Sequence, residues 1–315
     1  MHEFPIAQFR GVVEKAAIAS AQWRGKGNER AADQAAVDAM RSALGALPID
    51  GIVAIGEGER DEAPMLYIGE KVGISDARLK VDFALDPLEG TTICAKYFRG
   101  ALSLLAVSER GGFLHAPDTY MQKIAVGPRA KDAISIERTP AENLIAVAEM
   151  LGKPISDLTV AVLDRNRHED LICDLRQAGA RIKLFTDGDV SVAIETCLPG
   201  SGVDLMMGVG GSTEGVLAAA ALKCLGGNIQ GKMVYRHEGE RERGAAMGIN
   251  PPDRILSLEE MARKDVFFFA AGVTDGELLK GVRFGNERVE TQTLILSTHN
   301  QLFQYVTTLH PKNKF

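Results

Sequence analysis

The sequence has few cysteines, no surplus of positive charge and no long apolar run. It contains 4 cysteines in 315 residues, with no Cys-x-x-Cys pair, so we expect a reduced, cytoplasmic protein. Acidic residues outnumber basic ones by 42 to 36, which argues against a duplex-DNA binder that relies on a basic face. No apolar stretch approaches the roughly 20 residues of a membrane helix, and residues 1–5 carry no pattern of a secretory signal. We therefore expect neither a nucleic-acid nor a membrane partner.

Several common catalytic motifs are also missing. The segment 208–213 lacks the third glycine of the dinucleotide-binding pattern Gly-x-Gly-x-x-Gly, and no histidine forms His-Glu-x-x-His. Cys94 and Arg99 are one residue too close for the loop of cysteine-dependent phosphatases. The segment 187–191 fits the haloacid-dehalogenase nucleophile motif only weakly, because its fifth residue is serine and it lies mid-chain. A nucleotide-dependent oxidoreductase is thus disfavoured, and no activated protein nucleophile is evident.

Regular apolar patterns are present in the first half. Helical spacing predicts helices within 9–20 and 32–43. Short apolar runs at 52–55, 81–85 and 101–107, each flanked by Gly, Asp or Pro, predict strands.

The middle of the chain carries a boundary signal. Thr139-Pro140-Ala141-Glu142 is a capping box that begins a helix, and Gly152 ends that helix. The following segment, 153–158, is typical of a short linker. We therefore predict two halves, residues 1–152 and 153–315.

The second half alternates between strand and helix patterns, which favours a partly parallel sheet covered by helices. The segment 235–254 is rich in charge, Gly and Pro and is predicted to be an exposed loop. The predicted strands are 159–163, 181–186, 203–207 and 265–271, and the predicted helices are 168–178 and 215–225.

Carboxylates stand at the ends of these elements. Glu57 follows the strand 52–55, and Asp86 follows the strand 81–85, where Pro87 is expected to end the pairing. Because strand ends that face helix starts form the crevice in which open α/β sheets bind ligands, these carboxylates are candidate site residues. Glu89 follows Asp86 by three residues, Glu214 lies at another helix start, and Asp33 borders the apolar face of the second helix.

The segment Asp-Pro-Leu-Glu-Gly-Thr at 86–91 combines three chemical functions in six residues. Mg²⁺ is typically held by a few carboxylates, water and substrate phosphate. Glycine at a helix start offers N–H donors to a phosphate, and the threonine adds a hydroxyl. Two cations roughly 4 Å apart can activate water and stabilise the leaving oxygen in phosphate-ester cleavage.

The motif Gly-Glu-Gly-Glu-Arg-Asp-Glu at 56–62, followed by Asp-Pro-Leu-Glu-Gly-Thr-Thr at 86–92, resembles the lithium-sensitive sugar and inositol phosphatases. More closely, the sequence resembles the class II (GlpX-type) fructose-1,6-bisphosphatases. The likeness extends from about Phe9 to the C-terminal region and includes 120–123, 164–168, 187–189, 210–215 and 272–276.

This resemblance implies an α/β fold, the layered αβαβα sandwich of sugar phosphatases. It implies hydrolysis of fructose 1,6-bisphosphate to fructose 6-phosphate and phosphate, a step of gluconeogenesis, by direct attack of water. It also implies two or three Mg²⁺ or Mn²⁺ ions and a homo-oligomer, either a dimer or a tetramer.

The resemblance further assigns roles to individual residues. Its metal ligands match Asp33 and Glu57 for one ion and Asp86, Glu89 and Glu214 for another. Thr91 and Asp33 would act in catalysis by orienting the attacking water. Arg165 and Arg167 would bind the distal phosphate. The full set of implied substrate contacts is Glu89, Gly90, Thr91, Tyr120, Arg165, Asn166, Arg167, Asp187, Gly188, Asp189 and Gly211.

Two departures and two alternatives accompany this prediction. Family members often have Lys-Pro-Arg where this chain has Arg165-Asn166-Arg167, and a lysine is common where it has Glu29. A bifunctional enzyme that also cleaves sedoheptulose 1,7-bisphosphate, or another sugar phosphatase, is the first alternative. A non-catalytic sugar-phosphate-binding protein is the second, and the intact carboxylate set with Thr91 argues against it.

Overall fold

The computed structural model describes residues 4–56 and 66–312, and these form two compact units. The first unit contains the chain up to Phe113 and from Lys264 onward, and the second is Leu114–Arg263. The segment 153–158, expected to separate two halves, lies inside the second unit. Side chains before and after that segment share one hydrophobic core, so it connects two elements of the same unit.

The first unit contains, within its described residues, eight strands and three helices. In chain order they are α1 (Ile6–Ala21), α2 (Glu29–Gly45), β1 (Ile49–Ile55), β2 (Lys71–Gly73), β3 (Leu79–Glu89), α3 (Thr91–Lys96), β4 (Leu102–Glu109), β11 (Val266–Gly272), β12 (Arg283–Phe284), β13 (Arg288–Ser297) and β14 (Leu302–Pro311). The strand order is β12-β13-β11-β4-β3-β1-β2, and β14 also pairs with β13. Among the described strand pairs of this sheet, β1 and β3 are parallel and the other pairs are antiparallel.

Two alanine-rich helices cover this sheet. The buried face of α1, which includes Phe9, Val13 and Ala17, packs against β11, β13 and β4. Helix α2 is capped by Asn28, whose side chain accepts a hydrogen bond from the Ala31 N–H at 3.0 Å, the usual cap for exposed helical donors. Small side chains let α1 and α2 pack closely, and both predicted helices are confirmed.

Strand β3 corrects one expectation, because Pro87 does not end it. The strand continues to Glu89, and its register with β4 shifts between Asp86 and Glu89. A proline has no N–H for the sheet ladder, so it is tolerated at such a β-bulge. The bulge sets the positions of two predicted metal ligands.

The second unit contains six strands and six helices. In chain order they are β5 (Tyr120–Val126), α4 (Pro140–Leu151), β6 (Thr159–Leu163), α5 (Glu169–Gln177), β7 (Arg181–Phe185), α6 (Asp189–Glu195), β8 (Leu205–Gly211), α7 (Ser212–Leu225), β9 (Asn228–Val234), α8 (Glu238–Ala246), β10 (Ile255–Ser257) and α9 (Leu258–Met261). The strand order is β10-β9-β5-β8-β6-β7, with β6 parallel to both β7 and β8.

The alternation of side chains along β5 separates the two faces of this sheet. Ile124 and Val126 lie in the core formed with α4 and α5, whereas Met121 and Lys123 lie against Gly215 of α7. A lysine therefore points into the side of the sheet that α7 covers.

The segment 235–254 was predicted to be an exposed loop, and this is wrong. It contains α8, whose Glu240 and Gly244 are buried. The many charges conceal the helix in the sequence, because α8 buries a carboxylate where an amphipathic helix normally buries apolar side chains.

The mixed α/β class is confirmed. The described residues form two mixed sheets and nine helices, as a layered α+β fold requires. Among these helices none is both long and apolar enough to cross a membrane.

Candidate active site

Asp33 lies in the second turn of α2 with one carboxylate oxygen buried. Its Oδ1 atom has no hydrogen-bond partner among the described residues, and burial raises the pKa of this carboxyl. Such an oxygen costs free energy unless a cation or donor compensates it. Asp33 therefore fits the ligand role that the sequence predicts.

Asp86 and Glu89 flank the bulge of β3 and are almost fully buried, at 2% and 3% exposure. The Asp86 Oδ1 atom accepts a hydrogen bond from the Leu88 N–H at 2.9 Å. Gly90 follows in the left-handed conformation, with φ +85°, and α3 then begins at Thr91. The left-handed residue turns the chain sharply from strand to helix, so two carboxylates and a threonine come together within six residues.

Helix α2 packs against both β3 and α3 within the first unit. The elements that carry Asp33, Asp86, Glu89 and Thr91 are therefore neighbours. Glu57 lies outside the described residues. Within 4–56 and 66–312, no three His, Cys, Asp or Glu side chains are grouped closely enough to hold a metal ion. The donors nevertheless fit a hard cation, because they are carboxylates with little access to water.

Lys123 contacts two of the predicted residues of the second unit, and sequence reasoning assigned it no role. Its Nζ atom donates to Asp189 Oδ2 at 2.5 Å and to the Gly211 carbonyl oxygen at 3.0 Å. The side chain is buried, in a strand otherwise lined by apolar residues on its buried faces. A charged residue in the middle of a buried strand was the available signal, since such a charge needs a partner.

Glu214 lies in the first turn of α7, next to this ion pair. Burial raises the pKa of its carboxyl, while the Lys123 charge lowers it and the Asp189 charge raises it. A Cβ atom on Gly211 would lie 2.0 Å from Glu214 Oε2, and one on Gly210 would lie 2.0 Å from Asp189 Oδ2. Both glycines are therefore required for these carboxylates to lie against the end of β8.

The loop after β7 carries Asp187 and Asp189, two acidic residues that are predicted to contact the substrate. Gly188 adopts φ +99° and α6 begins at Asp189. Asp187 lies on the other side of this turn, and its Oδ1 atom is 3.6 Å from Nη2 of Arg165. The turn thus directs one aspartate toward Lys123 and the other toward Arg165.

The loop after β6 holds Arg165, Asn166 and Arg167. Arg167 donates from Nε and Nη2 to the Val209 carbonyl oxygen at 3.0 and 2.7 Å. Asn166 begins a 3₁₀ turn that ends at His168, and among residues 4–56 and 66–312 its side chain has no hydrogen-bond partner that marks a role for it.

His168 connects this loop to β8 by hydrogen bonds, and sequence reasoning assigned it no role either. Its Nδ1 is 2.7 Å from the Leu163 carbonyl oxygen, and its Nε2 accepts from the Val209 N–H at 2.7 Å. These partners fit the neutral tautomer with the proton on Nδ1. Burial lowers the pKa of the ring, in keeping with this neutral form.

Tyr120 lies between β8 and β9, opposite Gly211 and Val234. The guanidinium carbon of Arg167 is 5.0 Å from the centre of its ring, and that of Arg236 is 5.6 Å away. The sequence does not single out Arg236, because this residue lies in the segment 235–254, for which an exposed loop is predicted.

The predicted residues that the structure describes fall into two groups, one in each unit. The first unit holds Asp33, Asp86, Glu89, Gly90 and Thr91. The second unit holds Tyr120, Arg165, Asn166, Arg167, Asp187, Gly188, Asp189, Gly211 and Glu214, and adds Lys123, His168 and Arg236.

Comparison with known proteins gives concordant matches over nearly the whole chain. The family described as bacterial fructose-1,6-bisphosphatase, glpX-encoded, matches residues 6–310. A Synechococcus protein is 47% identical over 326 aligned residues, which cover 96% of this chain and 94% of that protein. A Synechocystis protein is 44% identical over 325 residues, with the same coverage. Both relatives are named D-fructose 1,6-bisphosphatase class 2/sedoheptulose 1,7-bisphosphatase.

Proposed function

The chain belongs to the glpX-encoded family of bacterial fructose-1,6-bisphosphatases, and we propose that it hydrolyses the 1-phosphate of fructose 1,6-bisphosphate. The products are fructose 6-phosphate and inorganic phosphate. The observation that carries this proposal is the chemistry of the two residue groups. One presents buried carboxylates beside Gly90 and Thr91, and the other presents arginines around Tyr120.

We assign the metal ions to five carboxylates. Asp33 and Glu57 are proposed for one divalent ion, and Asp86, Glu89 and Glu214 for another, with two or three Mg²⁺ or Mn²⁺ ions in all. The buried Oδ1 atom of Asp33 supports this assignment. When bound, such ions acidify water and offset negative charge on the phosphate and the leaving oxygen.

Thr91 and Asp33 are the proposed catalytic residues. Thr91 is the first residue of α3 and follows the left-handed Gly90, directly after the end of β3 that carries Asp86 and Glu89. In this role the Thr91 hydroxyl and the Asp33 carboxylate orient the attacking water in line with phosphorus, and the amides of Gly90 and Thr91 bind phosphoryl oxygens. The attack is direct, and no covalent phosphoenzyme forms.

The remaining predicted residues are proposed to bind the rest of the substrate. Arginine pairs well with phosphate because its planar fork gives bidentate hydrogen bonds. Acidic side chains beside these arginines can accept hydrogen bonds from the hydroxyl groups of the sugar. The proposed contacts are Glu89, Tyr120, Arg165, Asn166, Arg167, Asp187, Gly188, Asp189 and Gly211.

The test is phosphate release from a panel of substrates at matched protein concentration. The panel contains fructose 1,6-bisphosphate, sedoheptulose 1,7-bisphosphate, fructose 1-phosphate and inositol 1-phosphate, each with Mg²⁺, with Mn²⁺ and with EDTA. We expect the fastest release from fructose 1,6-bisphosphate and none with EDTA. Absence of release from every compound would favour a sugar-phosphate-binding protein, and equal rates on inositol 1-phosphate would contradict a bisphosphatase.

A bifunctional enzyme is the second candidate. The relatives' names include sedoheptulose 1,7-bisphosphate, and both sugars carry a second phosphate for the arginine group. Comparable kcat/KM values on the two bisphosphates would establish it. A role in gluconeogenesis, a cytosolic location and a homo-oligomeric state belong to the same proposal and stay predictions.

A further inference from the structure

We propose that Arg236 and Arg167, which both lie against the Tyr120 ring, bind the distal phosphate of the substrate, and that Glu240 positions Arg236 for this task. The inference rests on the proposed function for the identity of the substrate. It differs from the sequence-based assignment, which gave this phosphate to Arg165 and Arg167.

Arg236 is held on one side only. Its Nε and Nη2 atoms lie 2.6 and 2.5 Å from Oε1 of Glu240, and its backbone N–H donates to Oε2 at 2.7 Å. The side chain is 56% exposed, and no partner for Nη1 occurs among residues 4–56 and 66–312. The guanidinium is thus fixed in orientation while its outer edge is open to a ligand.

Glu240 is a buried anchor for this guanidinium. Its side chain has 0% exposure, and its Oε2 atom also accepts a hydrogen bond from the Thr119 hydroxyl at 2.6 Å. Burial opposes ionisation, but the hydrogen bonds from Arg236 and Thr119 outweigh it and lower the pKa of Glu240 to about 2. A carboxylate that stays charged and cannot move keeps Arg236 preorganised, which reduces the entropy lost when a phosphate binds.

Of the arginines beside Tyr120, Arg167 is the one whose positive charge the protein neutralises least. The Val209 carbonyl oxygen takes two of its N–H donors, and His168 in turn holds the Val209 N–H. Within the described part of the chain, the structure gives Arg167 no carboxylate partner. Its charge is therefore positioned without being neutralised.

Arg165 is held differently from these two arginines. Its Nη2 lies 3.6 Å from Asp187 Oδ1, and its Nη1 donates to the Asp164 carbonyl oxygen at 2.9 Å. The contact with Asp187 is longer than a hydrogen bond, so it orients the Arg165 guanidinium less firmly than Glu240 orients that of Arg236. We accordingly assign Arg165 the smaller share of phosphate binding.

Tyr120 links the two arginines. It begins β5 and pairs with Val234, two residues before Arg236. The two guanidinium carbons lie 5.0 and 5.6 Å from the ring centre, where each gains cation–π attraction. Guanidinium groups match the charge and the several oxygens of a phosphate dianion.

The first experiment measures binding of fructose 6-phosphate, which keeps the distal phosphate, by calorimetry with Mg²⁺ present. Arg236→Ala is expected to weaken binding roughly 10- to 100-fold, and Arg167→Ala similarly. Arg165→Ala should cause a smaller loss. Arg241→Ala is the matched control: it removes the same charge five residues away, where Arg241 lies 3.7 Å from Glu238, and should change the Kd less than twofold.

Wild-type affinity in Arg236→Ala, or a larger loss in Arg165→Ala than in Arg236→Ala, would overturn the inference. Phosphate release by the wild type is scored separately. If the wild type releases no phosphate but binds fructose 6-phosphate through Arg236, only the proposed function fails. If it releases phosphate and Arg236→Ala binds normally, only this inference fails.

The positioning role of Glu240 is tested with Glu240→Gln. We expect KM for fructose 1,6-bisphosphate to rise about 5- to 10-fold with kcat within twofold of wild type, because the guanidinium is held less firmly. Arg236→Lys, which keeps the charge but loses the fork, should give an intermediate KM. A lower Tm with an unchanged KM would mean that Glu240 only stabilises the fold.

Discussion

Lys123 and Asp189 form a buried ion pair in which the Lys123 Nζ atom lies 2.5 Å from Oδ2 of Asp189. The pair joins β5 to the start of α6, and the same Nζ atom also contacts the carbonyl oxygen at the end of β8. After burial, the charges of this pair have the largest effects on the pKa of Glu214. One lysine therefore ties together three elements that carry predicted site residues.

Lys123→Met is expected to lower the free energy of unfolding by about 3 kcal/mol, because it leaves the Asp189 carboxylate buried without its partner. Urea unfolding at pH 7 measures this. Arg181→Ala is the control, since it removes an exposed ion pair with Asp157 and should cost about 0.5 kcal/mol or less.

The double variant Lys123→Met with Asp189→Asn sharpens this prediction. It removes both charges, so it should recover at least about 1 kcal/mol relative to Lys123→Met. A double variant that is as unstable as the sum of the two single variants would mean that the pair contributes no coupling.

Thr91→Ala is expected to lower kcat on fructose 1,6-bisphosphate at least about 100-fold with little change in the Kd for fructose 6-phosphate, because its hydroxyl is proposed to act on the attacking water. Thr92→Ala, one residue along α3, is the matched control and should stay within about threefold of wild type. Thr91→Ser, which keeps the hydroxyl, should retain most of the activity. Normal turnover by Thr91→Ala would show that the hydroxyl has no catalytic role.

Local sequence signals predicted the elements that depend on local chemistry. The capping box at Thr139 and the Gly152 terminus fix helix α4 at the predicted residues, because both act within one helical turn. The strand-to-helix turn at Gly90 was likewise visible in the segment 86–91.

Features that depend on distant partners were not predictable in this way. Strand β11 completes the first unit by pairing with β4, more than 150 residues earlier, so no composition change marks the boundary of that unit. Lys123 and Asp189 are 66 residues apart, and Arg236 acquires its position from Glu240 and Tyr120. Such roles arise from sheet register and burial, which a single sequence does not specify.

Asp33→Asn is expected to abolish most activity without destabilising the metal-free protein. The buried Oδ1 atom of Asp33 has no hydrogen-bond partner in the described structure, so neutralising this side chain should change the free energy of unfolding in EDTA by zero to about +1 kcal/mol. Added Mn²⁺ should raise the Tm of the wild type more than that of Asp33→Asn, because a ligand that binds the native state stabilises it.

Asp38→Asn is the control for this comparison, because Asp38 is an exposed residue of the same helix that accepts a hydrogen bond from Gln34 Nε2 at 2.8 Å. It should keep the wild-type response to Mn²⁺. An equal Mn²⁺-induced rise in Tm for wild type and Asp33→Asn would contradict the assignment of Asp33 as a ligand.

Glu240 gives the last prediction, which concerns pH. Its pKa falls from an ordinary value of 4.5 to about 2 in the folded protein, so the native state favours the charged form. The resulting stability is fully present above about pH 5 and is lost as pH falls toward 2. Glu240→Gln should therefore be less stable than wild type by roughly 1–3 kcal/mol at pH 7, and the difference should shrink progressively between pH 5 and pH 2.5. Urea unfolding of both proteins across this range measures the difference in their free energies of unfolding. The other carboxylates titrate in both proteins, so their contributions cancel in this difference. A difference that stays constant with pH would show that the buried carboxylate is not held in its charged form by Arg236 and Thr119.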